Sequence, residues 1–186
     1  MRQFFGMSQS GDLMEALSTL ENPQFIMLMS NNAQFEKHVK ALEKYYPGVP
    51  SIGCVGMSYD TRMVEEGVGV VAFLDGVSAA ANVLEEVSVM PVKYISRLEE
   101  DLQKVNAASE DTICIDFCCG NDACVLTTIN TVLRQRGISL VGGTGDAGKV
   151  SVNGKIYQDA VVYAPVRNHN GRVKTYKENI YRKLGN

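Results

Sequence analysis

Apolar residues recur along this chain at two spacings, one helical and one of strand length. Leu13, Ala16, Leu17 and Leu20 fall on one helical face, and so do Phe35, Val39, Leu42 and Tyr46. Two further stripes follow, Ile95, Leu98, Leu102 and Val105, then Val125, Ile129, Val132 and Leu133. The spacing predicts four helices. The first runs from about Asp12 to Leu20, with Asp12 and Glu15 resembling a capping box. Pro47-Gly48-Val49-Pro50 ends the second, Pro91 opens the third, and Gly137 ends the fourth. Short apolar runs lie between the stripes: Phe25 to Met29, Thr112 to Phe117, Ser139 to Val141 and Ala160 to Ala164. Gly67 to Phe73 and Ser78 to Val87 read as a pair of strands turned at Asp75-Gly76.

The order of elements repeats. Ile26 corresponds to Ile115, Gly48 to Gly137, Ile52-Gly53 to Val141-Gly142 and Gly56 to Gly145, each pair 89 positions apart. A constant offset across three elements points to duplication, with units of about 1–88 and 89–186. The fold class is α/β in the mixed, α+β sense. Each βαβα-β unit buries one sheet face under two helices, and packing the remaining faces gives an α-β-β-α layering. The competing layout is a single mixed sheet with helices on both faces.

Gly143 to Lys149 reads almost as the phosphate-binding G-x-x-x-x-G-K loop. That loop needs Ser or Thr after the Lys, and Val150 stands there. It must also open a helix, whose amides hold the phosphate. Val150 to Tyr157, alternating around Asn153-Gly154, is instead a hairpin signature. Nucleotide chemistry is not expected, and Lys149 reads as a solvated residue leading into the hairpin.

Composition narrows the class further. A hydrophobic content of 45% supports a packed core. A net charge of −3 without a Lys/Arg-rich run argues against a nucleic-acid partner. No apolar stretch approaches about 18 residues, so no membrane span is expected, and Met1 to Gly6 does not read as a secretory signal. Five cysteines, an odd number, argue against a disulfide framework and for a reducing cytoplasm.

Candidate chemistry gathers where strands end. Ser30-Asn31-Asn32, Gly53 to Ser58, Cys118 to Asp122 and Gly142 to Asp146 are short polar or glycine turns. In open α/β sheets ligands bind beyond the carboxyl ends of strands, where helix starts after Asn32 and Asn121 would add positive ends. The bland account is that these small residues serve only turns and packing. Cys114 and Cys118 point to one side of their strand and suit buried small hydrophobes. With Cys119 and Cys124 they match no zinc spacing, and no metal site is expected. Cys119 sits at the rim near a helix start, where a thiol pKa could fall. His38 reads as a boundary or surface residue and His169 as part of an exposed polar turn.

Two stretches carry a resemblance. Tyr46 to Cys54 with Gly67 to Val71, and Val141 to Asp146 with Asn153-Gly154-Lys155 and Asp159 to Val162, are similar to the two signatures of the FIST sensory domain. The resemblance covers most of the chain in the expected order. It implies a single domain over 1–186 that senses a small ligand, such as an amino acid or small anion, rather than an enzyme. It implies a place in cytoplasmic chemoreceptors or beside kinase signalling domains, with a homodimer allowed. The C-terminal domain that usually accompanies it, and the output domain, are expected to be absent. One branch of the family resembles haem-binding nitric-oxide sensors, which makes haem the alternative ligand, but neither histidine matches a family position. A thiol- or nucleotide-dependent enzyme is the remaining alternative. The rim residues expected to hold ligand are Ser30, Asn31, Gly53, Cys54, Cys119, Gly143, Thr144 and Asp146, with Asp146 accepting from an ammonium group.

Overall fold

The computed structural model describes residues 1–56, 58–59, 63–90, 92–120 and 122–176, and the side chains of these except in 58–59, 63–64 and 122–126. The Pro91 start of the third helix, the Asn121 helix start and the side chains of Cys124 and Val125 therefore lie outside the description.

Two mixed sheets carry the chain. The first runs in the order β1 (Gln3–Ser8), β6 (Val68–Phe73), β2 (Phe25–Ser30), β3 (Ser51–Val55), β11 (Val150–Val152) and β12 (Lys155–Tyr157). The second runs β10 (Ser139–Thr144), β9 (Thr112–Cys118), β13 (Ala160–Asn168) and β7 (Val77–Ala79), with β8 (Asn82–Glu85) also on β13. β4 (Ser58–Tyr59) and β5 (Met63–Val64) form a separate two-stranded sheet among the described residues. The helices are α1 (Leu13–Ala16), α2 (Phe35–Tyr45), α3 (Ile95–Lys104) and α4 (Asp122–Gln135).

Strand alternation sorts side chains into three cores. Ile26, Leu28, Val68, Val70 and Ala72 meet Phe35, Val39 and Leu42 of α2 and Leu13 and Ala16 of α1. Cys114, Cys118, Val161 and Tyr163 meet Leu98 and Leu102 of α3 and Ile129, Val132 and Leu133 of α4. The opposite faces, including Phe25, Ile52, Phe73, Val162, Ala164 and Val166, pack together between the sheets. Phe25 and Phe73 stack there with centroids 5.9 Å apart. The layering is α-β-β-α. The single-sheet alternative fails because both sheets have one apolar face left over after taking their helices, and each covers the other's.

The two sheets match strand for strand. In the first, β1-β6-β2-β3 run antiparallel, antiparallel, then parallel. In the second, β8-β13-β9-β10 do the same. They part at the connection into the last strand of each set. The excursion before β6 is the separate β4-β5 pair, whereas the one before β13 crosses over and adds β11 to β3, with Val150 opposite Cys54.

Several expected boundaries move, each for a local reason. Gly67 to Phe73 and Ser78 to Val87 are not a hairpin, because the Asp75-Gly76 turn carries the chain from β6 in one sheet to β7 in the other. The second of these strands is split into β7 and β8, which share one register on β13. The break lies opposite Pro165, which has no N–H to give the ladder. The first helix closes after one turn. Asp12 caps Met14, but its own N–H goes to Ser8 Oγ, and Glu15 accepts from that same hydroxyl at 2.6 Å. Ser8 has thereby taken both partners of the expected capping box. Gly142 and Gly143 belong to β10 rather than to a turn. A Cβ at Gly142 would lie 2.0 Å from the Asp116 carbonyl oxygen, so only glycine lets β10 pair with β9 there.

Asp101 is a buried charge beneath α3. Its carboxylate accepts from Tyr163 Oη at 2.8 Å, Asn82 Nδ2 at 2.9 Å and Lys104 Nζ at 2.7 Å. These bonds tie the helix to β8 and β13. A buried carboxylate is tolerated when it is multiply bonded in this way.

Candidate functional site

The parallel strand pairs end in the same way in both sheets. Ser30 and Val55 stand in register at the ends of β2 and β3, and Gly56 donates its N–H to the Ser30 carbonyl at 3.0 Å. Cys118 and Thr144 stand in register at the ends of β9 and β10, and Gly145 donates to the Cys118 carbonyl at 2.8 Å. The crossover of β11 brings these two ends against each other. A Cβ at Gly145 would fall 2.9 Å from Cys54 Cβ and 3.4 Å from the Val55 carbonyl, so glycine is what lets the loop approach β3. Val55 in turn donates to the Lys149 carbonyl at 3.3 Å.

The eight rim residues differ in what they expose. Gly143, Thr144 and Asp146 face solvent. Thr144 Oγ1 lies 3.3 Å from Cys118 Sγ. Asp146 opens a 3-10 turn over Asp146–Gly148, in which Ala147 takes a φ of 55°. Asn31 is half-buried; its Nδ2 donates to the Glu66 carbonyl at 2.8 Å and its Oδ1 accepts from Gln34 N at 3.0 Å. Ser30 is fully buried, with Oγ 2.7 Å from His38 Nδ1. Gly53 is buried, and a Cβ there would come within 2.7 Å of Ser151 Oγ. Cys54 is buried between the sheets. Cys119 is half-buried, its thiol 3.6 Å from the Tyr157 carbonyl.

Three of the thiols are held in the protonated form by burial. Burial, reinforced by the Asp146 charge, pushes Cys54 up to about 12. Burial also raises Cys119 and Cys114. The expected fall at Cys119 does not occur, because desolvation outweighs its backbone hydrogen bonds. The phosphate-loop resemblance resolves as a hairpin. Lys149 is followed directly by β11, and its Nζ donates to Asn32 Oδ1 at 3.0 Å at the surface.

His38 corrects another expectation. It is 2% exposed, with Nδ1 at Ser30 and a further ring bond to the Gly11 backbone. Burial lowers its pKa, so the ring is neutral near pH 7. His169 is exposed, as its turn predicts, and its Nε2 lies 2.6 Å from Ser78 Oγ. Among the described residues no group of three His, Cys, Asp or Glu side chains is placed to hold a metal.

Two residues of chemical interest escaped sequence reasoning. Asp116 is buried on the helix side of β9, against Gly142, and desolvation raises its carboxyl to about 6. Its strand alternates Thr112, Cys114, Asp116 and Cys118 on one face, and that lone acid among apolar positions was the available signal. Gln34 Oε1 is buried without a hydrogen-bond partner among the described residues. The residue lines a cavity of about 450 Å³ between α2 and residues 10–14, which lead into α1. A second cavity of about 480 Å³ lies between α2 and the β11-β12 hairpin, with Asn32 and Lys149 in its wall. The eight rim residues line neither cavity.

No helix among the described residues is long and apolar enough to cross a membrane. No curated protein matches the chain. The family model of the FIST N domain matches residues 24–186, from the start of β2 onward and including both strand-end turns. The chain belongs to the FIST N domain family, whose members are sensory domains of signal transduction.

Proposed function

We propose that this domain binds a small ligand, an amino acid or similar small anion, at the rim where its two sheets meet, and that it serves a chemoreceptor-type protein in the cytoplasm. The observation that carries the reading is the contact of Gly145 with Cys54, which joins the ends of one parallel strand pair to the other. Strand ends of this kind are where α/β folds place ligands. Gly143, Thr144 and Asp146 would contact the ligand from the exposed side, Asp146 taking an ammonium group. Ser30, Asn31, Gly53, Cys54 and Cys119 would hold the rim in shape through the contacts described above. A ligand that bridges the two ends favours one arrangement of the sheets, and that difference in affinity is the signal passed to a downstream chemotaxis or kinase module.

A thermal-shift screen against amino acids and small organic acids tests the reading. The expected result is a hit whose affinity falls about tenfold or more in Asp146→Ala, the loss of one charge-assisted hydrogen bond. Hits that bind Asp146→Ala with unchanged affinity would remove the rim from consideration.

A further inference from the structure

We propose that the outer edge of β1 is an interface, at which a second copy of this chain pairs antiparallel about a twofold axis through Phe5 and joins two first sheets into one. The inference does not rest on the rim, none of whose eight residues lies on β1.

β1 ends the first sheet, with only β6 beside it among the described residues. Leu74 donates its N–H to the Arg2 carbonyl at 3.0 Å, so Arg2 is turned toward β6, and by alternation so are Phe4, Gly6 and Ser8. The N–H and C=O groups of Gln3, Phe5 and Met7 therefore point outward, where no strand pairs with them among the described residues. Nothing on the strand guards them. From Gln3 to Ser8 there is no charged residue and no proline, the usual devices that keep edges apart. The second sheet shows what a guarded edge is in this fold. β8 holds the matching place there, and its Val83 N–H goes to Asn82 Oδ1 at 2.9 Å while the Val83 carbonyl accepts from Arg97 Nη1 at 2.7 Å. β12 is short and begins with Lys155, and β10 carries Gly142-Gly143, which weaken a strand.

Outward groups at every second residue match an identical strand run in reverse. With the axis through Phe5, Gln3 faces the other copy's Met7 and Phe5 faces Phe5, each pair exchanging two hydrogen bonds. Phe5 shares the inter-sheet face with Phe73, yet it is 54% exposed. Against its own counterpart it becomes a cross-strand aromatic pair. The charges choose the direction. In this register the exposed Arg2 comes opposite Ser8, whose hydroxyl donates to the Glu15 carboxylate at 2.6 Å, so opposite charges meet at both ends. Parallel pairing would set Arg2 beside Arg2, and it would not close on two copies.

Analytical ultracentrifugation of the full chain tests the interface. The wild type should sediment as a concentration-dependent dimer. Phe5→Lys, which sets like charges across the axis, should weaken dimerisation about tenfold or more with the circular dichroism unchanged. Phe5→Cys should form an intermolecular disulfide at residue 5, because the Cα atoms of such a pair lie about 5.5 Å apart, within disulfide reach. Val141→Lys on β10 should dimerise as the wild type does. A wild-type chain that is monomeric at about 0.1 mM overturns the proposal, since any Kd would then exceed about that value. So does a dimer that Phe5→Lys leaves intact and Phe5→Cys does not link. Loss of the dimer in Val141→Lys would move the interface to β10, and growth beyond two copies would mean head-to-tail pairing; either result also overturns it.

Discussion

Two buried titratable residues give this domain opposite responses to pH. Asp116 prefers its neutral form when folded, because burial raises its carboxyl to about 6. Its favourable contribution is complete below the unfolded value of about 4 and is lost as pH rises through about 6. Asp116→Asn should therefore stabilise the protein at pH 7, by at most about 3 kcal/mol for a shift of about two units. The gain should vanish below about pH 4, and urea unfolding at the two pH values checks it. His38 works the other way. Burial depresses its pKa, so its contribution is present above about 6.5 and fades as pH falls through the lower folded value. Ser30→Ala leaves the His38 Nδ1 without its partner and should cost about 1–3 kcal/mol at neutral pH, read by the same denaturation.

At the scale of elements, adjacent glycines in β10 have opposite tolerances. Gly142→Ala drives a Cβ into the Asp116 backbone and should destabilise by about 3 kcal/mol or more, as overpacking against an immovable neighbour does. Gly143→Ala meets nothing within 4 Å and should stay within about 0.5 kcal/mol. Thermal unfolding of the pair separates strand packing from turn geometry as the reason for the Gly-Gly sequence. The same strand shows what the sequence could and could not convey. Helical stripes such as Phe35, Val39 and Leu42 were legible, because period and burial coincide. Asn153-Gly154 was legible because its chemistry is local to the turn, Asn153 taking a φ of 46° and Gly154 one of 77°. The extension of β10 through Gly142 was not, because its cause is the Asp116 carbonyl on another strand. His38 was misplaced for a like reason, its burial coming from Ser30 and Gly11 rather than from its own helix. Strand-end turns at the rim were visible as glycine and polar clusters. The Gly145-Cys54 contact that joins them depends on the crossover of β11.

Across the whole molecule, Asn153 holds three strands from one turn. Its N–H donates to the Ser51 carbonyl and its Oδ1 accepts from Ser51 N, both at 3.0 Å, while Nδ2 donates to the Ala81 carbonyl at 3.2 Å. Ser51 belongs to the first sheet, and Ala81 links the two strands that edge the second. Asn153→Ala should cost about 2 kcal/mol for the two side-chain bonds while unfolding stays a single transition. Two resolved transitions in the calorimeter would mean instead that the sheets melt independently. The crossover also sets an order of events during synthesis. A ribosome that has released only the first unit has made β1, β2, β3 and β6 but not β11. Until Val150 to Val152 emerge, β3 is an open edge of apolar strand, and open edges recruit whatever strand is nearest. A truncated chain ending before β11 should therefore pair with its own copies, and a nascent chain needs its second half before its first can be safe from its neighbours.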